Sequence, residues 1–573
     1  MQFYRIFSLV AIVAVTTCTS DPAPDGKLNG WHPCSANTIS SERNTTDPDA
    51  ECILYRAPLC YPGICDATKA PIENVDIFVK RLPAVATDPT TASNVWLLQG
   101  GPGSPSTGME YLMIDLHSKL EGAVNVYTMD HRGSGRSTLL KCTGSSNTSK
   151  LGDEITLAEV PVCAEELEQK YGDLSSFSIT SAATDLEVFI TEYSNGANTT
   201  VYGVGYGTTL VERLMHLDPP SVTGYVLDSV DTSSGGSKFL YMSEFDTNIG
   251  EVADQFLELC STDEFCNVHF KATSLRSVLE ELIIELDKNP KSTCAAMMHT
   301  VNNNEPNVSD EPPSFTLRRM LGSLLADSIQ RTFIAPVVYR LHRCAPKDAP
   351  VLTRFIKGFN WYQNLGFNRP ETTWSSVLYY LIVYSEMWEK PTPSTSEMIE
   401  RFTNVRMSES GDYWMSSHYC AFSKDKTCND HNVSTYEAHG IIYERDEYWN
   451  KSATIPNQAS VLLLSGKLNQ MTPHKYAIYL LEALQGDKKE LVTFDHTADS
   501  VLGSSYLDEL DDSKGTCGME LLVSFVSNNG NLDRLDKSCL DEMPPFNLTV
   551  PIDHLHSYFG TTDAFDGDYN STL

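Results

Sequence analysis

Four short segments place glycine and charged or polar residues directly after apolar runs that are typical of β-strands. They span residues 98–103, 130–137, 203–208 and 464–473. Glycine-rich turns leave backbone N–H groups free, and such groups can bind a carbonyl or carboxylate oxygen. The residues in these turns are therefore the first candidates for chemistry.

The elements around these segments alternate between short apolar strands and helices. The pattern predicts strands over 75–79, 94–98, 124–129, 200–203, 222–230, 459–465 and 491–494. Helical spacing of apolar residues predicts helices over 181–193, 208–217, 474–484 and 518–528. This alternation predicts an α/β fold with a mostly parallel sheet that is covered on both faces.

A different pattern occupies residues 236–454, which we call the cap. It contains long amphipathic stretches, for example over 274–286 and 317–341, and few strand patterns. We therefore predict a sheet core in two parts, 51–235 and 455–557, with the helical cap inserted between them. Residues 1–20 are predicted to be a signal peptide, 21–50 an exposed leader and 558–573 a tail.

In their order and spacing, the four segments resemble the α/β-hydrolase family of prolyl and tripeptidyl aminopeptidases. The resemblance covers nearly the whole mature chain and is weakest in the cap. It implies an α/β-hydrolase fold and a catalytic Ser, Asp and His in that chain order. The family's Ser lies at the centre of G-x-S-x-G, on a sharp turn between a strand and a helix.

This chain departs from the family at all three catalytic positions. The centre of the turn is Gly205, the Asp position is Asn469, and the His position aligns with Asp499. A shift of one loop would instead make His496 the functional imidazole. No other G-x-S-x-G occurs, so no such shift supplies a serine at the turn. Glycine also tolerates the positive φ of this turn, which strains other residues by ~1–3 kcal/mol.

These departures from the family predict a protein that has lost catalysis. Loss of the nucleophile from a serine triad costs roughly 10⁶-fold in rate. We expect the chain to act by binding a peptide or an extracellular protein. One alternative is an active serine exopeptidase that releases N-terminal residues with an unrecognised nucleophile. Another is a structural or adhesive glycoprotein with a closed pocket.

Parts of a substrate site are expected to survive. By resemblance, Gly100, Gly101, Gly103 and the backbone N–H of Tyr206 would form an oxyanion hole, unless these glycines serve only the turn. In the cap, Glu386 is a candidate for binding a peptide N-terminus, although a solvated or structurally paired role is favoured. Asp130 and Arg132 are expected to brace the loop or, by preference, to form a structural ion pair.

Cysteines and glycosylation sequons indicate an extracellular protein. The signal peptide would remove Cys18, which leaves 14 cysteines and up to seven disulfides. Short spacings suggest Cys142–Cys163, Cys260–Cys266, Cys420–Cys428 and Cys517–Cys539, although sequence does not fix the connectivity. The sequons are at Asn44, Asn147, Asn198, Asn307, Asn432, Asn450, Asn547 and Asn570.

The charge balance excludes some partners. A formal net charge of −33 leaves no basic face for nucleic-acid phosphates. It is best explained by solubility, although an acidic pocket for cationic peptides is an alternative. No segment after the signal is apolar enough to span a membrane. No spacing predicts a metal site, and no cofactor is implied.

Overall fold

The computed structural model describes residues 27–38, 48–69, 71–143, 155–301, 311–366, 374–428, 435–509 and 511–573. The predicted signal peptide and the sequons at Asn44, Asn147, Asn307 and Asn432 lie outside the described residues. The four described sequon asparagines, at positions 198, 450, 547 and 570, are all exposed.

Within the described ranges, a single sheet of nine strands forms the centre of the molecule. The strands are β1 His32–Cys34, β2 Ala50–Pro58, β3 Asn74–Leu82, β4 Asn94–Leu98, β5 Asn125–Asp130, β6 Thr199–Gly205, β7 Val222–Val230, β8 Ser460–Gly466 and β9 Lys489–Phe494. Their order is β1-β2-β3-β5-β4-β6-β7-β8-β9. The pairs from β1 to β5 are antiparallel, and those from β5 through β4 to β9 are parallel.

Alternate residues of the central strands enter two cores, one on each face of the sheet, because side chains alternate along a strand. One core holds Trp96, Val201 and Leu463 against helices α2, α3, α4 and α15. The other holds Leu97 and Leu462 against α1 and α17. The helices of this part are α1 Glu110–Lys119, α2 Val160–Tyr171, α3 Ile179–Val188, α4 Tyr206–Leu217, α15 His474–Ala483, α16 Val501–Ser504, α17 Cys517–Ser527 and α18 Ile552–His554.

Ten helices without a strand connect β7 to β8 within the described part of the cap. They are α5 Phe245–Leu259, α6 Glu264–Asn267, α7 Leu275–Lys288, α8 Thr293–Met298, α9 Pro313–Leu325, α10 Ile334–Arg343, α11 Asp348–Gly366, α12 Ser376–Glu386, α13 Thr395–Asn404 and α14 Met415–Ser423. Helices α5 and α7–α11 form a hydrophobic core of their own. Helices α12 and α14 instead pack into the core on the sheet.

The amphipathic stretch over 317–341 is two helices rather than one. A carboxylate oxygen of Asp327 accepts hydrogen bonds from the backbone N–H groups of Ile329 (2.9 Å) and Gln330 (2.8 Å). Asp competes for backbone donors in this way, so it ends α9 and starts a tight turn before α10.

The predicted leader and tail are both partly built into the fold. Strand β1 pairs with the edge of the sheet and is joined to it by the disulfide Cys34–Cys52. At the other end, Phe559 and Phe565 are buried in the core of the cap. Arg340 of α10 donates to the carbonyls of Asp563 (3.0 Å) and Ala564 (2.6 Å). Long-range contacts therefore hold part of each segment, which the predictions of an exposed leader and of a tail did not include.

All four suggested disulfides are confirmed, and three more complete the set of seven. The additional pairs are Cys34–Cys52, Cys60–Cys65 and Cys294–Cys344. Seven disulfides are typical of extracellular proteins. None of the described helices is long and apolar enough to cross a bilayer.

The strand order, the parallel pairing and the sharp turn from β6 into α4 together define an α/β-hydrolase fold with a large helical insertion after β7. The predicted fold class is therefore confirmed.

Candidate functional site

Gly205 occupies the turn between β6 and α4, at the carboxyl edge of the sheet. Its backbone has φ 54° and ψ −125°, a conformation that glycine adopts without a β-carbon clash. Among the described residues, a β-carbon at this position would meet only the Cα of Gly100, at 4.0 Å. The turn therefore keeps the geometry and the space for a side chain at the position where the family has its nucleophile, but the side chain is absent.

The neighbouring Gly207 is needed for a different reason. A β-carbon on Gly207 would stand 2.7 Å from the carbonyl oxygen of Leu98, so only glycine allows α4 to approach β4 this closely. Gly207 fixes the packing of the turn, whereas Gly205 relaxes its backbone strain.

The predicted oxyanion residues lie around this turn. A β-carbon on Gly100 would be 2.5 Å from the oxygen of Val204 and 3.5 Å from the nitrogen of Tyr206. Tyr206 is the first residue of α4, and the first N–H groups of a helix have no partner within the helix. Gly101 and Gly103 have positive φ, and the oxygen of Gly103 accepts from the N–H of Ser375 at 3.0 Å. The loop thus lies between the turn and the start of cap helix α12.

Asn469 is fully buried in the turn after β8, and both the oxygen and the nitrogen of its amide form hydrogen bonds. Its Oδ1 accepts from the N–H groups of Met471 and Thr472, both at 3.0 Å. Its Nδ2 donates to the hydroxyl of Ser229 at 3.0 Å. The amide at the family's Asp position is therefore integrated into the local hydrogen bonding.

Asp228, near the end of β7, fixes the loop that carries Asp499. Its carboxylate accepts from the N–H groups of Val501 and Leu502 and from the hydroxyl of Tyr202, each at 2.8 Å. Burial raises the pKa of Asp228 to about 6, although these donors oppose the shift. The start of α16 is therefore held against the centre of the sheet.

Asp499 is accessible to solvent, yet surrounding protein raises its pKa above the usual range for a carboxyl. Desolvation is the main cause, and the N–H of Ser500 opposes it. A carboxyl that is reached by solvent but also partly desolvated by surrounding protein is typical of a side chain in a cleft. We use the word cleft for the region between Gly205, at the carboxyl edge of the sheet, and the cap, where Asp499 and Glu409 act on one another electrostatically.

His496, the alternative imidazole, is half-buried with its ring 4.8 Å from that of Phe546. Its carbonyl accepts a hydrogen bond from Arg331. Burial and then the Arg331 charge lower the pKa of His496. The ring is thus packed in an aromatic contact beside a cation.

A serine–histidine pair that no sequence motif predicted lies at the end of β8. Nδ1 of His474 lies 3.1 Å from Oγ of Ser465. Ser465 is completely buried, and the pKa of His474 is lowered by burial and then by Lys467. Ser465 is one residue before Gly466, and β8 is separated from β6 by β7. Two strand spacings, roughly 10 Å, therefore separate this pair from Gly205.

Glu386 is almost completely buried, and both of its carboxylate oxygens have partners. Arg213 donates to one oxygen at 2.9 Å, and the hydroxyl of Tyr443 donates to the other at 2.7 Å. Arg213 also pairs with Asp446 at 3.0 Å. The geometry favours the structurally paired alternative for Glu386 over recognition of a peptide N-terminus.

Asp130 and Arg132 do not pair with one another. Asp130 pairs with Arg136 at 2.8 Å, and Arg132 pairs with Asp185 at 2.6 Å. Both pairs are structural, but the expected partner was wrong, because β5 ends at Asp130 and Arg132, beyond the strand, reaches Asp185 of α3 instead.

Three further carboxyls in or beside the cleft carry no sequence motif. Desolvation raises the pKa of Asp231 to about 7 and that of Glu409 to about 7, and it also raises that of Asp412. The charged groups that act on Glu409 are Asp412 and Asp499, both acidic. In the sequence, Glu409 and Asp412 belong to an ordinary polar loop, so no local signal separated them from surface residues.

Comparisons with known proteins do not identify a family. No protein-family model matches the chain, and no curated protein matches it. Mouse α/β-hydrolase domain-containing protein 10 is 8% identical, with 84% of this chain and 99% of that chain covered and a TM-score of 0.30. An esterase from Exiguobacterium antarcticum is 11% identical, with 74% of this chain and 88% of that chain covered and a TM-score of 0.25.

A thermostable carboxyl esterase from Bacillus coagulans is 10% identical, with 79% of this chain and 94% of that chain covered and a TM-score of 0.30. Similarity at this level carries no argument about activity. The assignment of the fold rests on the strand order and the turn at Gly205.

Proposed function

We propose that this chain is a secreted, catalytically inactive relative of the serine aminopeptidases that binds a peptide or protein partner in the cleft. One observation carries the proposal: the turn at Gly205 has the backbone geometry and the space for a nucleophile but no side chain. Without an attacking oxygen, acyl-enzyme chemistry cannot begin at this turn.

The other two positions support the same proposal. Asn469 carries no charge that would stabilise an imidazolium, and its amide is already committed to Ser229 and the following turn. Asp499 would place a negative charge near any oxyanion that developed at the turn.

Secretion is supported by the predicted signal peptide, the seven disulfides and the exposure of the described sequon asparagines. A binding role is supported over a purely structural one by the accessible carboxyl of Asp499. A closed pocket would not leave that group in contact with solvent.

The active-hydrolase alternative has one observation in its favour, the hydrogen bond between Ser465 and His474. Two features oppose it. Ser465 is completely buried, so a substrate carbonyl has no access to its Oγ. In addition, both ring nitrogens of a catalytic His need partners, and the charge that acts most strongly on His474 is that of Lys467, a cation.

Labelling with a fluorophosphonate probe tests both proposals. We expect no labelling of the native protein or of Ser465→Ala. Labelling of the native protein that disappears in Ser465→Ala would establish the alternative and refute inactivity. The triple variant Gly205→Ser, Asn469→Asp, Asp499→His is expected to be labelled, whereas Gly205→Ser alone is not, because a lone serine lacks its base.

A further inference from the structure

A cavity of about 560 Å³ opens at the end of the sheet opposite to Gly205. It lies at the start of three neighbouring parallel strands, beside Thr223 of β7, Ser460 of β8 and Lys489 of β9. Gly205 ends β6, which runs parallel to these strands, so a strand length of roughly 20 Å separates it from the cavity. The volume falls within the range of roughly 300–1,000 Å³ that is typical of small-molecule sites.

The turn after α17 forms one wall of this cavity and is packed directly on the sheet. Gly530 has a φ of 74°, and a β-carbon there would stand 2.8 Å from the hydroxyl oxygen of Ser460 and 3.1 Å from the carbonyl oxygen of Thr223. The buried hydroxyl of Ser460 donates to the carbonyl of Gly530 at 2.5 Å. These contacts fix the wall against the starts of β7 and β8.

The charges that line the cavity nearly cancel. The charged residues of the lining are Asp487, Lys488, Lys489, Glu490 and Asp533. Glu490 is paired with Lys537 at 2.6 Å, so two acids and two lysines remain. Both lysines donate to backbone carbonyls, at 2.6 and 2.5 Å. An anion or a cation in the cavity would therefore meet like charges as well as opposite ones.

The lining also offers little contact to an apolar ligand. Its apolar side chains are those of Ala459 and Leu532, and the other lining residues are polar, charged or glycine. Small-molecule sites are lined mostly by hydrophobic and aromatic side chains. The composition of this cavity therefore favours a ligand that is polar over most of its surface.

Several polar side chains of the lining retain groups for hydrogen bonding. Asn529 and Asp533 are exposed and form no side-chain hydrogen bond with the described part of the chain. The amide oxygen of Asn531 accepts from the N–H of Asp533 at 3.0 Å, which leaves its NH₂ group for a ligand. Gln458 donates to Asp218 at 3.0 Å, which leaves its amide oxygen for a ligand. The cavity thus presents amide donors beside amide and carboxylate acceptors.

A carbohydrate has the matching chemistry, because it is uncharged and each of its hydroxyl groups both donates and accepts hydrogen bonds. We propose that the cavity binds an oligosaccharide through the side chains of Asn529, Asn531 and Asp533. The inference goes beyond the proposed function, since it concerns a separate site at the opposite end of the sheet.

The oligosaccharide has two possible sources, an external glycan or a glycan on this chain at Asn198. Asn198 is exposed and directly precedes Thr199, the first residue of β6, which pairs with Val222 of β7. The sequon therefore lies at the same end of the sheet as the cavity. Two to three strand spacings, roughly 10–15 Å, separate them, which an attached oligosaccharide can span.

Titration calorimetry with the secreted full-length protein tests the proposal. The probes are N,N′-diacetylchitobiose, mannotriose, lactose and cellobiose, with inorganic phosphate and glycylglycine as charged controls. We expect at least one sugar and neither control to bind. Asn529→Ala and Asp533→Ala should each weaken sugar binding about tenfold, through the loss of hydrogen bonds. Asn267→Ala and Asp553→Ala remove the same side chains at exposed positions outside the cavity and should leave binding unchanged.

Sugar binding to the native protein identifies an external glycan as the ligand. If Asn198→Gln binds sugar but the native protein and Asn450→Gln do not, the glycan at Asn198 occupies the cavity. The proposal is overturned if neither the native protein nor Asn198→Gln binds a sugar, or if Asn450→Gln exposes the same binding as Asn198→Gln. It is also overturned if the cavity variants and their controls bind equally, or if phosphate or glycylglycine competes. None of these results changes the expected lack of fluorophosphonate labelling at Gly205, so the two proposals fail separately.

Discussion

Asn469 and Ser229 share one hydrogen bond of 3.0 Å whose direction is fixed by a third residue. The Ser229 hydroxyl donates its single proton to Asp228, also at 3.0 Å, so its oxygen can only accept from the Nδ2 of Asn469. Ser229 is further constrained by a φ of 53°, which is unusual for a residue other than glycine. An amide at position 469 is therefore the side chain that this network requires.

Restoring the family's carboxylate at this position should accordingly destabilise the protein. Asn469→Asp replaces a donor with a second acceptor that faces the oxygen of Ser229, at a cost of about 1–3 kcal/mol in the free energy of unfolding. Urea denaturation of the native protein and the variant measures this cost. Ser229→Ala removes the conflict, so Asn469→Asp should cost clearly less in that background; an equal cost in both backgrounds would contradict the account.

Alanine substitutions at Gly205 and Gly207 should distinguish the energetic cost of backbone strain from the cost of steric overlap. Gly205→Ala has room for its β-carbon and costs only the positive-φ strain, ~1–3 kcal/mol. Gly207→Ala brings a β-carbon to 2.7 Å from the oxygen of Leu98 and should be the more destabilising change. Thermal unfolding of the two variants provides the comparison, and the reverse ranking would show that the turn is not packed as described.

Glu386 should matter for stability rather than for ligand binding. Glu386→Ala leaves the buried guanidinium of Arg213 with one carboxylate partner fewer, and loss of one member of a buried ion pair costs about 3–5 kcal/mol. Glu437→Ala, at an exposed position, is the matched control and should be nearly neutral. If Glu386→Ala instead kept full stability and lost affinity for peptides with a free N-terminus, the recognition role would be correct.

Stability should rise as the pH falls from 8 to about 6.5. The pKa values of Glu409 and Asp231, both about 7, are raised above those of unfolded carboxyls, so in this window the folded protein takes up protons and the unfolded chain does not. Below about 6.5 the unfolded chain protonates histidines, while burial lowers the pKa of His131 and of His418 to about 4, and this opposes the further gain from Asp228, whose pKa is raised to about 6.

Melting temperatures of native protein and Glu409→Gln across this range test the assignment. The variant has no titrating group at position 409, so its melting temperature should depend less on pH between 8 and 6.5. Identical pH profiles for the two proteins would rule out Glu409 as a source of the effect.

Sequence patterns predicted the sheet well because its central strands are continuous apolar runs between turn residues. Strand β7, for instance, covers the predicted residues 222–230. The same patterns failed for β1 and for the C-terminal segment. The three residues of β1 are too few to show a periodic pattern, and Phe565 is a single apolar residue. Both are held in place by contacts with residues distant in the chain.

The candidate site likewise contains some residues that sequence motifs located and others that they did not. Motif order located Gly205, Gly100 and Asn469, since each lies at or just beyond the end of a strand. The partners of Glu386 could not be predicted, because Arg213 lies 173 residues away in the sequence. Glu409 and Ser465 were missed because burial and neighbouring charges, rather than residue type, distinguish them.

The seven disulfides also bear on how the two parts of the molecule can change. Four lie wholly in the sheet core, including its N-terminal strand, and three wholly in the cap, so none of these seven cross-links joins one part to the other. Only two crossings of the main chain and non-covalent packing tie them together. The insertion can therefore diverge in sequence and acquire new binding partners while the oxidative folding of the central scaffold stays as it is.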